Sequence, residues 1–155
     1  MTKLLLSLHV LAAIVAIGPV TVAASMFPKA LRRAHNDPAD RDALTNLRML
    51  HRICRVYAAI GIAVPFFGFA TAGILGVMGN GWVIASIALT AAASAILALL
   101  ILPTQHEALT AALVPGAARP TRSAGHLAML TGVFNLIWVA VTVLMITRPG
   151  STTGT

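Results

Sequence analysis

The sequence predicts an all-α protein, a bundle of four transmembrane helices, and three observations carry that prediction. Of 155 residues, 58% are apolar and only 10% charged, with a mean hydropathy of +0.89, whereas soluble domains are roughly half apolar and a quarter charged. Four apolar runs, residues 4–27, 53–78, 82–102 and 127–146, are each long enough as a helix to cross a hydrocarbon core of about 30 Å. Each run is continuously apolar. Barrel strands would instead alternate lipid-facing and lumen-facing residues, so helices are the way left to satisfy the backbone in lipid.

The first span follows Lys3 and contains His9 and Pro19, where a modest kink is expected because proline lacks a backbone donor. A secretory signal is the competing reading, since the run ends in Val22-Ala23-Ala24-Ser25. The run is long for a signal, and the basic stretch beyond it favours retention on the cytoplasmic side. Between Pro28 and Arg55 lie Lys29, Arg32, Arg33, Arg41, Arg48, Arg52 and Arg55, seven of the eleven basic residues, and the second long loop carries Arg119 and Arg122. Both long loops are therefore expected in the cytoplasm, with both termini outside. The formal charge of +7 fits anionic lipid headgroups as partners, and no basic-aromatic pattern points to nucleic acid.

Asn36-Asp37-Pro38 reads as a helix start, with Asp37 as N-cap, Pro38 at the first helical position and Asp40 and Asp42 in the first turn. Leu44, Leu47, Leu50 and Cys54 recur at spacings of three and four. An amphipathic cytoplasmic extension running straight into the second span follows from that pattern. Arg48, Arg52 and Arg55 share another stripe, suited to snorkelling towards lipid phosphates. Cys54 has no cysteine partner and reads as a small buried side chain rather than a redox thiol.

The second span has a kink expected at Pro65 and a seam of Gly68, Ala72 and Gly76. A link at residues 79–82 places Trp82 at an interfacial belt, and the third span is rich in small residues, Ala88, Ala91, Ala92, Ser94, Ala95 and Ala98. Thr104-Gln105-His106-Glu107 matches a capping box, predicting a short cytoplasmic helix to Leu113. Pro115-Gly116 should end it, with a flexible basic link over 117–123. The fourth span repeats the small-residue theme at Ala128 and Gly132, and residues 149–155 read as a disordered tail after a single domain, 1–148.

No Asp, Glu or Lys lies in a membrane interior, which argues against carboxylate-driven carriers, and no nucleophile has a plausible base for hydrolysis. Thr71, Ser86, Thr90, Asn135 and Thr142 are the polar residues from which a solute pathway would have to be built. His9 shares a face with Ala12, Ala13 and Ala16 and so looks towards another helix. Its imidazole can hydrogen-bond there, or ligate haem b with Met78 or Met145 as a second ligand. His51, His106 and His126 fall near one level at the cytoplasmic interface, where three imidazoles can hold a metal, although their spacing matches no zinc pattern.

Leu8-His9-Val10-Leu11-Ala12-Ala13, the four-span plan and Leu50-His51-Arg52-Ile53-Cys54-Arg55 resemble an uncharacterised family of predicted bacterial integral membrane proteins. More loosely, His9 followed by Met26-Phe27-Pro28-Lys29-Ala30-Leu31 and a basic loop is similar to the membrane protoporphyrinogen oxidases and the copper-resistance membrane proteins. The former resemblance implies a bound haem with His9 as an axial ligand; that enzyme family carries a lysine in its third span, and this chain has none there. Taken together, the residues favour a small membrane subunit without a catalytic site, self-associating or accessory to a larger complex. Haem binding through His9 and a small-solute channel are the alternatives.

Overall fold

The computed structural model describes residues 2–114 and 124–150. Among them every element is helical: α1 (Thr2–Asn36), α2 (Arg41–Ile60), α3 (Ala63–Ile74), α4 (Gly81–Ala95), α5 (Leu102–Leu113) and α6 (Ala124–Thr147), with a π-helical stretch Ile96–Ile101 joining α4 to α5. Four rods result, Lys3–Asn36, Arg41–Ile74, Gly81–Leu113 and Ala124–Thr147, each long and apolar enough to cross a membrane.

The first rod runs further than its apolar stretch. At 1.5 Å per residue α1 is about 52 Å long, some 20 Å more than a hydrocarbon core, and Pro28 does not end it. A proline inside a helix costs about 3 kcal/mol. Phe27 and Leu31 are fully buried one turn apart, against Ala43, Leu47, Ala108, Leu109 and Leu127. Two such side chains contribute about 3–6 kcal/mol when buried from water, enough to offset the proline.

That extra length moves the next helix start. Asp37 is not the N-cap: its Oδ1 accepts from the Ala39 amide at 3.1 Å, its carbonyl accepts from the Asp40 amide at 3.1 Å, and Pro38 sits in the turn. The N-cap is Asp40, whose Oδ1 accepts from the amides of Asp42 and Ala43, both at 3.0 Å. Arg33 Nε donates to Asp40 Oδ2 at 2.7 Å, tying the end of α1 to the start of α2. Leu47 and Cys54 are buried along α2, in line with the amphipathic pattern.

The second rod breaks at Gly61-Ile62 rather than at Pro65 itself. Pro65 cannot donate to the Gly61 carbonyl four residues back, and its ring crowds that oxygen. Val64 N takes the carbonyl instead, at 3.1 Å. Gly76 is a helix stop and not part of a packing seam: at φ +66° it sits in the left-handed region, Val77 N donates to Ala72 O at 3.1 Å and Gly76 N to Gly73 O at 3.2 Å. This is the Schellman arrangement, and it ends the rod before Met78, which lies in the connecting loop.

No separate helix starts at Thr104. The third rod continues from Gly81 to Leu113, so the capping-box reading is corrected. Pro103 would press on the Leu99 carbonyl in an unbroken α-helix; the π stretch widens the turn just before it, with Leu102 N donating to Leu97 O. Thr104 and Gln105 are buried as a result, not exposed at a surface cap. The expected stop at Pro115-Gly116, the link 117–123 and residues 151–155 of the expected tail lie outside the described residues.

α1 is the central rod, packed on α2, α3 and α6, while α4 packs on α6 and touches α3 only marginally. The bundle is therefore open along the seam between α3 and α4. Large apolar side chains such as Ile62, Phe66, Leu99 and Leu136 face outward, as expected where lipid is the solvent. Several of the small residues do not pack within the bundle: Gly132 has no neighbour within 4 Å of an added Cβ, and Ala88, Ala91, Ala92, Ala95 and Ala98 are exposed.

Candidate functional site: an intramembrane groove floored by His9

The open seam contains a cavity of about 250 Å³ between α1, α3, α4 and the end of α6. His9 stands at its floor. Its side chain is largely buried, and Nδ1 lies 2.9 Å from the Val64 carbonyl. A carbonyl only accepts, so Nδ1 is the donor in this contact, which in the neutral ring puts the lone pair on Nε2. Gly68, one turn further along α3, makes room for the ring: a Cβ there would lie 3.0 Å from His9 Cε1 and 3.3 Å from Nδ1.

The rest of the lining is apolar apart from a few groups. Thr71 and Ser86 are buried, but their hydroxyls donate to the carbonyls of Phe67 and Trp82, four residues back on their own helices, at 2.7 and 2.8 Å. Such bonds satisfy a hydroxyl without offering it to a ligand. At one end of the cavity the Arg148 guanidinium carbon lies 5.8 Å from the centre of the Trp82 ring. Trp82 Nε1 is buried and has no hydrogen-bond partner.

Of the two methionines considered with His9, Met145 lines this cavity and Met78 does not. The polar residues considered as a solute path do not form one. Thr71, Ser86 and Thr90 border the cavity, whereas exposed Thr142 donates to Trp138 O at 2.8 Å and Asn135 Nδ2 donates to Ser25 Oγ at 3.3 Å, between α1 and α6. A second cavity of about 390 Å³ continues the seam towards Arg55 and shares Pro65, Thr90 and Ser94 with the first.

At the opposite end, α2 and α5 enclose a polar cluster. His51 Nδ1 is 3.2 Å from Gln105 Oε1, Gln105 Nε2 points at Cys54 Sγ at 3.7 Å, and the His51 and His106 rings are 5.7 Å apart. Because the amide oxygen accepts, His51 Nδ1 is the donor. His126 does not complete a metal site with them: among the described residues no three His, Cys, Asp or Glu side chains are placed to hold an ion. Cys54 is buried, as expected of a small apolar side chain. Arg48, Arg52 and Arg55 are all exposed.

Sequence reasoning missed Val64, Gly68, Trp82 and Arg148 as parts of one site, and Gln105 as a core residue. The Gln105 signal was available, since it shares a helical face with the buried Ala108 and Leu109. Compared with known protein families, with curated proteins and with solved structures, the chain matches none.

Proposed function

We propose that the chain is a small integral subunit of the bacterial inner membrane, without a catalytic site of its own, that works by associating with a second copy or with a larger membrane complex. The observation that supports this most is the outward face of α4, where Ala88, Ala92 and Ala95 are exposed. In lipid, association rests on close backbone approach rather than on a hydrophobic drive, and these alanines offer it. The basic segment before the second span and the loop after the third face the cytoplasm, with both termini outside, following the distribution of Lys and Arg. Arg48, Arg52 and Arg55 then meet anionic headgroups of the inner leaflet.

The test is disulfide cross-linking in native membranes of Ala88→Cys, Ala92→Cys and Ala95→Cys, each in a Cys54→Ala background. A cross-linked adduct from one helical face, absent for a cysteine at Leu136, is expected. Monomer alone at all three positions overturns the reading.

One observation favours haem binding through His9 as a second reading. His9 and Met145 line the same cavity, and the Val64 carbonyl holds Nδ1 so that Nε2 is available, the orientation that histidine ligands commonly receive from a backbone acceptor. A Soret band lost in His9→Ala supports it. A featureless oxidised and reduced spectrum of protein from haem-replete cells removes it.

A further inference from the structure

The mouth of the His9 cavity carries a buried N–H donor without a partner and, beside it, an exposed guanidinium. Trp82 Nε1 is a buried donor with no acceptor, a costly arrangement in a low-dielectric setting. Arg148, stacked on the Trp82 ring, makes no ion pair among the described residues. No acidic side chain lies near it: the four acidic residues are Asp37, Asp40, Asp42 and Glu107. The three aspartates lie at the junction of the first two rods and Glu107 lies in α5, near the other end of the third rod from Trp82. A buried N–H and a cation side by side call for an oxyanion.

Below this mouth the lining is largely apolar, and the second cavity adjoins the first at Pro65, Thr90 and Ser94. An oxyanion joined to a long apolar chain fits that sequence of environments. Water or a free anion would satisfy only the mouth.

The geometry points to a binding site for an anionic phospholipid, with its phosphate between the Arg148 guanidinium and Trp82 Nε1–H and one acyl chain in the groove between α3 and α4, past Ala72 and Ala91. This site is at the opposite end of the bundle from Arg48, Arg52 and Arg55, and it does not depend on the proposed association through α4. The occupant is distinguished from an ordinary surrounding lipid by the buried indole donor, which a lipid headgroup at the bundle surface does not meet.

The test uses full-length protein, delipidated in mild detergent and titrated with phosphatidylglycerol, phosphatidylcholine or palmitate, with bound lipid counted by native mass spectrometry. One phosphatidylglycerol per chain is expected to bind at least tenfold more tightly than phosphatidylcholine. Arg148→Gln should abolish that preference, and Trp82→Phe should reduce it several-fold. Ala72→Phe, which fills the groove and leaves the mouth intact, should weaken both lipids.

Equal binding of the two phospholipids, or a preference that survives Arg148→Gln in folded protein, overturns the site. Palmitate displacing phosphatidylglycerol at equal concentration overturns the phospholipid as its occupant, and a co-purified haem mass displaced by neither overturns it in favour of the second reading. Melting temperature of each variant separates loss of binding from loss of fold.

Discussion

The His9 ring and the bare Cα of Gly68 share one space. The imidazole of α1 fits against α3 because no Cβ projects from residue 68, and in that position Nδ1 reaches the Val64 carbonyl at 2.9 Å. Val64 lies just past the break that Pro65 imposes at Gly61-Ile62. A proline, a glycine and a histidine that are far apart in sequence thus form a single joint between the first two rods.

Gly68 is therefore predicted to be less replaceable than His9. The ring cannot retreat from a side chain at residue 68 without lengthening its hydrogen bond, so Gly68→Ala should already destabilise and Gly68→Val should cost more, about 1–3 kcal/mol, as overpacking does. His9→Leu loses one intramembrane hydrogen bond, worth about 0.6 kcal/mol on average and at most about 1.7. Thermal unfolding in detergent should rank Gly68→Val below His9→Leu. Adding His9→Ala to Gly68→Val should recover stability, and strictly additive losses would refute the shared space.

Asp40 should make the junction of α1 and α2 sensitive to acid. The Ala43 amide first, and then Arg33, hold its carboxyl below the ordinary value of 3.8. A depressed folded-state pKa contributes stability that is present above the unfolded value and lost as pH falls through the folded value. Asp40→Asn keeps the cap and removes the charge. The melting temperature of the wild type should exceed that of Asp40→Asn at pH 7, and the gap should close as the pH is lowered below about 3.8. Since Arg33 is well exposed, added salt should narrow the gap as well. A gap independent of pH would contradict this account.

Much of the fold was legible because lipid simplifies the rules. Four apolar runs of spanning length leave little choice besides helices, and the stripe through Leu47 and Cys54 marked the buried side of α2. The joints were less legible, because each depends on what a distant element supplies. Pro28 looks like an end of α1 until Leu47 and Leu109 are seen to bury Phe27 and Leu31. Thr104-Gln105-His106-Glu107 has the letters of a helix cap, yet the π stretch carries the chain through. For the site, His9 was visible as a lone polar group on a face of alanines. Trp82 and Arg148 lie 66 residues apart in sequence, and their pairing follows only from the way α4 and α6 pack.

The buried Gln105 ties α5 to α2 through His51 and Cys54, and it should show the asymmetry of buried polar pairs. Gln105→Leu leaves the His51 Nδ1 donor without its acceptor, a loss of about 1–3 kcal/mol. Replacing both partners, Gln105→Leu with His51→Leu, removes the stranded donor together with the bond. The double variant is expected to melt above Gln105→Leu. If it melts lower than either single variant, the cluster contributes through packing and not through hydrogen bonding.

The π stretch should behave as one residue accommodated for the sake of Pro103. In a continuous α-helix, deleting a residue rotates everything beyond it by about 100°, which would carry Gln105 away from His51. Because Ile96–Ile101 is π-helical, deletion of the exposed Leu99 can instead be absorbed by turning that stretch into α-helix, leaving Gln105 in register. The cost is that the proline ring then meets the carbonyl four residues before it, about 3 kcal/mol. Deletion of Leu99 alone should therefore destabilise the protein, and deletion combined with Pro103→Ala should recover most of the loss. The two deletion variants and the wild type, compared by melting temperature, decide the matter. If Pro103→Ala gives no rescue, the π stretch has a cause other than the proline.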